Sequence, residues 1–175
     1  MNDITLVLKA ASFAAQKHST QRRKDADASP YINHPLSLAK VLTVEGGCTD
    51  VETICAALLH DTVEDTETTL EELEFEFGVE IRKIVQEVTD DKSLKSEVRK
   101  LAQIEHAAHI SNKAKRVKLA DKICNLRDIV SSPPLNWSLE RKQAYFDWAK
   151  AVIDNLRGVD AKLEKVFDKT FKLRP

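Results

Sequence analysis

Residues 60–65 read His60-Asp61-Thr62-Val63-Glu64-Asp65, one imidazole and three carboxylates in six residues. They close a segment in which Ile54, Leu58, Asp61 and Asp65 fall at i, i+4, i+7 and i+11. On a helix the two aspartates would extend an inward apolar stripe. His60 and Glu64 form a second i, i+4 pair, about 100° round the helix. An unpaired buried carboxylate costs several kcal/mol, so these groups must be paired, neutralised or bound to a cation. The bland alternative is a helix end with solvated acids. Asp121 weighs against it. It sits mid-helix in Arg116-Val117-Lys118-Leu119-Ala120-Asp121-Lys122-Ile123, and Asn125 and Asp128 continue it as a polar seam. Alone, Asp121 could pair with Lys118 or Arg127. With His34, at a helix start, it completes a set of two histidines and two aspartates. Such a set suits a divalent transition ion such as Mn, Fe, Co or Zn, with positions left for water and a substrate oxygen. A structural zinc site would be closed and rich in Cys.

The other chemistry-bearing residues say less. Cys48, Cys55 and Cys124 are irregularly spaced and form no CxxC pair. Cys55 and Cys124 lie in apolar helical patterns and read as buried, reduced thiols, which points to a reducing compartment, the cytoplasm. His106 and His109, at i, i+3, are a weaker candidate pair for metal. His18 reads as an exposed neighbour of the basic run that ends in Arg22-Arg23-Lys24.

Helices must position all of these. Asp3 can cap a first helix to about His18, with Ile4, Leu8, Ala11 and Ala15 on one face. Residues 20–33 form a loop. His34-Pro35 opens a second helix, stopped by Gly46-Gly47. Thr49-Asp50-Val51-Glu52 starts a third that runs on through the acidic segment. Thr68-Thr69-Leu70-Glu71 opens a short helix closed by Gly78, and another follows from Val79 to about Val88. After a polar loop, a helix passes Val98, Leu101 and Ile104 towards His109. Asn112 to Val130 is one long helix, with Val117, Ala120, Ile123 and Cys124 inward. Ser138 caps a helix to Arg157, and a last one runs from about Asp160 to Lys172. The fold class is therefore all-α, a single helical bundle of about eight to nine helices over residues 1–175.

Bulk composition agrees. The chain has 175 residues, 42 % apolar and 31 % charged, with only 4 Gly and 5 Pro. That excludes a disordered chain and a turn-rich β-protein. No apolar run is long enough to cross a membrane, and no secretory signal is visible. With 27 basic and 28 acidic residues the net charge is −1, which gives no support to nucleic-acid binding.

The order His34, His60-Asp61, Asp121 resembles the HD-domain metal-dependent phosphohydrolases. The surrounding words narrow it: Tyr31-Ile32-Asn33-His34-Pro35, Ala56-Ala57-Leu58-Leu59-His60-Asp61-Thr62-Val63-Glu64-Asp65-Thr66, Val88-Thr89-Asp90-Asp91-Lys92, and Val117-Lys118-Leu119-Ala120-Asp121-Lys122 with Asn125-Leu126-Arg127. They are similar to the hydrolase domain of the RelA/SpoT alarmone enzymes, above all its small stand-alone form in metazoans and bacteria. The resemblance implies an HD fold and hydrolysis of guanosine tetra- and pentaphosphate to GDP or GTP plus pyrophosphate, with one Mn²⁺ per chain as the usual ion. It places His34, His60, Asp61 and Asp121 on the metal and Glu64 and Asp65 in catalysis. It places Arg23, Lys24, Asn125 and Tyr145 on the nucleotide.

The chemistry fits the residues independently. Hydroxide attack on a polyanion is repelled, and a metal both lowers the pKa of its bound water and polarises the phosphoryl group. Glu64 or Asp65 can then move the proton. Residues 61–80 hold nine acids and no Lys or Arg, so the metal and the run from Lys17 to Lys24 must reverse that field locally. Two other functions remain open at this point. One is a phosphatase for another ribose-linked phosphate, such as the 2′-phosphate of NADPH. The other is a non-catalytic module that binds the alarmone. The expected partner is a small nucleotide, with neither nucleic acid nor membrane.

Overall fold

The structure is a computed structural model in which residues 2–175 are described. It contains ten α-helical segments: α1 Asp3–Lys17, α2 Asn33–Lys40, α3 Val51–Leu59, α4 Thr62–Asp65, α5 Leu70–Phe77, α6 Val79–Val88, α7 Ser96–Ala107, α8 Asn112–Ser131, α9 Leu139–Asp154 and α10 Ala161–Phe171. α2 continues as a π-helical stretch over Val41–Glu45. Among the described residues there is no strand, only an isolated bridge between Arg22 and Pro30. Among the described residues no helix is long and apolar enough to cross a membrane. The all-α class is as the sequence implies.

The long helix α8 is the axis. α2, α3, α6, α9 and α10 all touch it, and α1 lies outside α3. Leu38, Leu58, Leu59, Leu119, Ile123, Phe146 and Phe167 fill the space between them. Ser111 caps α8 by accepting from the Ala114 N–H at 3.2 Å, and Ser138 caps α9 in the same way. Gly46 lets the end of the π stretch approach α10. A Cβ there would sit 2.7 Å from the Leu42 carbonyl oxygen and 2.9 Å from Leu163.

Several local expectations are corrected. Asn2, not Asp3, caps α1, accepting from the Thr5 N–H at 2.8 Å. The buried face of α1 is Ala10 and Ala14, while Ile4 and Leu8 are 75 % and 64 % exposed. Two forces set that rotation. Small alanines allow close packing on α3, and Lys9 and Lys17 pair with Glu76 and Glu72 of α5 at 2.8 Å each. Val98 and Leu101 of α7 are likewise exposed, and Ala107 alone in that helix is fully buried. The third helix is not continuous. It breaks at His60-Asp61, where the Thr62 hydroxyl donates to the Leu59 carbonyl at 2.7 Å. His18 is buried, not exposed; its Nδ1 lies 2.6 Å from Gln21 Oε1 and its ring 4.8 Å from that of Tyr31.

Candidate active site

Three elements meet at the polar centre. The start of α2 supplies His34, the break after α3 supplies His60 and Asp61, and the middle of α8 supplies Asp121. His34 Nε2 lies 3.2 Å and His60 Nε2 4.0 Å from Asp121 Oδ1. One donor atom from each of these three residues falls within 4.8 Å of the other two. Asp61 stands at the edge of this triangle, its Oδ2 2.9 Å from His60 Nε2 and accepting from the Tyr31 hydroxyl at 2.5 Å. The helix break brings His60 and Asp61 together. On an unbroken helix they would diverge by about 100°.

The residues fit a divalent cation. The His60 Nδ1–H donates to the Ala57 carbonyl at 2.8 Å, so Nε2, facing the two aspartates, is the nitrogen that can bind an ion once its proton is released. That Nε2 is buried and makes no well-aligned hydrogen bond, although Asp61 Oδ2 lies 2.9 Å away. His34 Nδ1 is also buried without a partner. Burial alone would discharge these groups. At His60 it is outweighed by Asp61 and Asp121, which push the imidazole above its ordinary range. At Asp61 and Asp121 burial is outweighed by His60, His34 and, for Asp121, Lys122, so both carboxyls stay well below theirs.

Glu64 and Asp65 flank the triangle in different states. Glu64 Oε2 accepts from the Asp90 backbone N–H at 3.1 Å. Burial, with the nearby carboxylates of Asp90, Asp61 and Asp65, pushes its carboxyl up to about 7, although the Asp90 N–H works against this. Asp65 is tied by Gln21, whose Nε2 donates to it at 3.0 Å, and by Lys92.

Beside the triangle opens a cavity of about 480 Å³. The 19–32 loop walls one side. It is a folded loop: the Arg23 N–H donates to the Ser29 carbonyl at 2.9 Å, and the Asp25 carboxylate accepts from the Ser29 N–H and hydroxyl at 3.0 and 2.6 Å. Arg23 lies 5.6 Å from the centre of the Tyr31 ring and pairs with Asp128 at 2.5 Å. Lys24 is exposed at the mouth, and its carbonyl accepts from the Leu135 N–H at 3.0 Å. Asn125 and Tyr145 also line this cavity. A second cavity of about 210 Å³ contains the triangle itself. The two share Arg23, Tyr31, His34, Asp65, Asn125 and Tyr145 as walls.

Residues 10–145 match the HD domain family. The chain belongs to that family. Relatives place it further. The guanosine-3′,5′-bis(diphosphate) 3′-pyrophosphohydrolase MESH1 of Xenopus tropicalis is 56 % identical over 97 % of this chain and 95 % of its own length. The Homo sapiens protein of the same name is 53 % identical over 96 % of this chain and 94 % of its own. The solved structure of a metazoan ortholog of SpoT, described as hydrolysing ppGpp, superposes with a TM-score of 0.93 at 48 % identity, covering 97 % of this chain and 95 % of that one. HD-domain membership and the His34–His60–Asp121 group together indicate a divalent-metal site.

Several residues of this HD site escape a reading by motif. Tyr31 orients Asp61. Asn125, expected on the nucleotide, donates through Nδ2 to Asp121 Oδ1 at 2.6 Å and so also orients a member of the triangle. Asp121 pairs with Lys122 at 3.1 Å, not with Lys118 or Arg127. Lys118 donates to the Val88 carbonyl at 2.9 Å, and Arg127 grips Glu45 at 2.7 and 2.9 Å. The available signal was two lysines spaced i, i+4 about Asp121 on the buried side of α8. His106 and His109 are exposed on and just beyond α7, outside the triangle.

Proposed function

We propose that this chain hydrolyses the 3′-pyrophosphate of guanosine tetra- and pentaphosphate to GDP or GTP and pyrophosphate, with residues 1–175 acting as one domain. One observation carries the reading. The metal-type triangle lies in the smaller of two adjoining cavities, with His34 on the wall they share, in a chain 56 % identical over nearly its whole length to a relative named for that reaction. The larger cavity has room for a nucleoside and its 5′ phosphates, and Arg23 and Lys24 supply positive charge at its wall.

We take His34, His60, Asp61 and Asp121 as the ligands of one Mn²⁺, an ion suited to mixed imidazole and carboxylate donors. When bound, such an ion supplies Lewis acidity and a water of lowered pKa. The chain's own residues do the rest. Tyr31 and Asn125 hold the two aspartates in place. Glu64, poised near neutrality, takes the proton of the attacking water, the task for which a carboxyl at about 7 is suited. Asp65, pinned by Gln21 and Lys92, orients that water. Arg23, already packed against Tyr31, offers its planar face to the base, and Lys24 acts as a point charge on phosphate. The free thiols of Cys48, Cys55 and Cys124 support the cytoplasm as the compartment.

The test is product analysis with Mn²⁺ on guanosine tetraphosphate, NADPH and simple nucleotides, with pyrophosphate and orthophosphate measured separately. GDP and intact pyrophosphate in equal amounts are expected. A guanosine product still bearing a 3′-phosphate, or orthophosphate alone, would overturn the assignment.

A further inference from the structure

Lys118 and Lys122 leave the same face of α8 and are buried, at 9 % and 3 % exposure. Lys118 Nζ makes one hydrogen bond, to the Val88 carbonyl, and stands 3.7 Å from Asp90 Oδ1. Lys122 Nζ makes one, to Asp121, and lies 4.3 Å from the centre of the Trp148 ring. An ammonium carries three N–H donors, so each lysine keeps donors to spare in a place shielded from water. Two like charges one helical turn apart add to that cost. Both side chains line the small cavity and neither lines the large one. What would satisfy them is an anion reaching past the triangle from the large cavity.

A 3′-pyrophosphate has that shape. With the nucleoside in the large cavity and the ribose-linked phosphorus at the triangle, the outer phosphate extends into the small cavity. We propose that Lys118 and Lys122 hold this outer phosphate. They thereby direct attack to the inner phosphorus and select a pyrophosphoryl over a monophosphoryl group. In the step they position, the water oxygen bonds to the ribose-linked phosphorus and the bond from phosphorus to the ribose 3′ oxygen breaks. Glu64 takes one proton of the water and gives it up again as the leaving 3′ oxygen is protonated, so that OH ends on the pyrophosphate and H on the ribose. This inference rests on the proposed function and deepens it.

The test is calorimetric binding of inorganic pyrophosphate, orthophosphate and GDP to the metal-loaded protein at fixed free-metal concentration, with metal content measured. Lys118→Met is the central variant, because Lys118 touches none of the proposed ligands. Pyrophosphate affinity should fall about tenfold or more, the scale of one charge-assisted hydrogen bond. GDP affinity should stay within about twofold, and orthophosphate should change far less than pyrophosphate. Lys118→Gln keeps a donor for Val88 without the charge and should behave alike, which keeps the test open if the methionine variant does not fold. Lys122→Met should lose pyrophosphate in the same way and Lys122→Arg should keep it. Unchanged pyrophosphate affinity in the Lys118 variants, or an equal loss of GDP, overturns the proposal. Wild-type protein that hydrolyses guanosine tetraphosphate while the Lys118 variants bind pyrophosphate normally would sink this inference and leave the proposed function standing.

Discussion

The two ends of the groove are built from different material. At the metal end every proposed ligand leaves a helix or a helix terminus and is largely buried, and three of them are held by a neighbour: Asp61 by Tyr31, Asp121 by Asn125 and Lys122, His60 by the Ala57 carbonyl. At the proposed nucleoside end, Arg23 and Lys24 ride on a loop closed by a single bridge and a few turn hydrogen bonds, with Lys24 in solvent. Groups that must meet an ion to within tenths of an ångström need rigid supports. Groups that grip a substrate through charge and stacking tolerate a mobile one. Damage at the first end should therefore appear in turnover, and damage at the second in affinity.

The largest effect belongs to the triangle. Asp121→Ala or His60→Ala should lose both metal and activity, and so should chelator treatment of the intact protein, with Mn²⁺ restoring it. Metal analysis beside a turnover assay checks this; full activity after verified metal removal would break the metal half of the comparison. Next comes Glu64→Gln, which should keep its metal and lose about 10²-fold or more in kcat, the range for a positioned proton carrier. If metal content fell in step with activity, Glu64 would be a ligand and the division of roles would be wrong. Arg23→Ala and Lys24→Ala should then raise KM about tenfold while kcat changes little, the pattern of lost ground-state binding. A fall in kcat at constant KM would make the loop part of the chemical machinery.

The smallest effect is on stability and its sign depends on the ion. In the metal-free protein His60 is raised, so its proton contributes stability that is fully present below the ordinary imidazole pKa. That contribution is lost as pH rises through the raised value. With the ion bound the imidazole is neutral, so affinity grows with pH over the same interval and protons are released on binding. Thermal melts between about pH 6 and pH 10 should therefore diverge, falling with pH in chelator and holding or rising with Mn²⁺. Parallel curves would mean that His60 carries no raised proton in the metal-free protein.

Much of this site was legible in the chain because its signals are local. A carboxylate in mid-helix beside an apolar stripe announces itself by period, and Asp121 did. His34 follows a loop and opens a helix, and the caps and glycines delimit the rest. What periodicity could not supply was rotation and interruption. The Ile4–Leu8 stripe looks inward by hydropathy, yet Ala10 and Ala14 face α3, because close packing on a neighbour and the Lys9 and Lys17 pairs outside the stripe decide how a helix turns. His18 looked solvated beside basic residues and is buried against Tyr31 and Gln21, partners brought to it by the fold of the loop.

By itself the sequence determined the helical class, the order of the elements and the identity of the four candidate ligands and two acids, since these depend on residue type and spacing along one strand of chain. Only the tertiary structure decided the break at His60-Asp61, the partners that orient Asp61 and Asp121, and the division of the groove into a wide cavity and a narrow one walled by Lys118 and Lys122. Tyr31 and Asp61 are 30 positions apart, and they and the walls of the two cavities meet only where separate elements come to lie against one another; Asn125 reaches Asp121 from one turn along α8, in a rotamer that the surrounding packing selects.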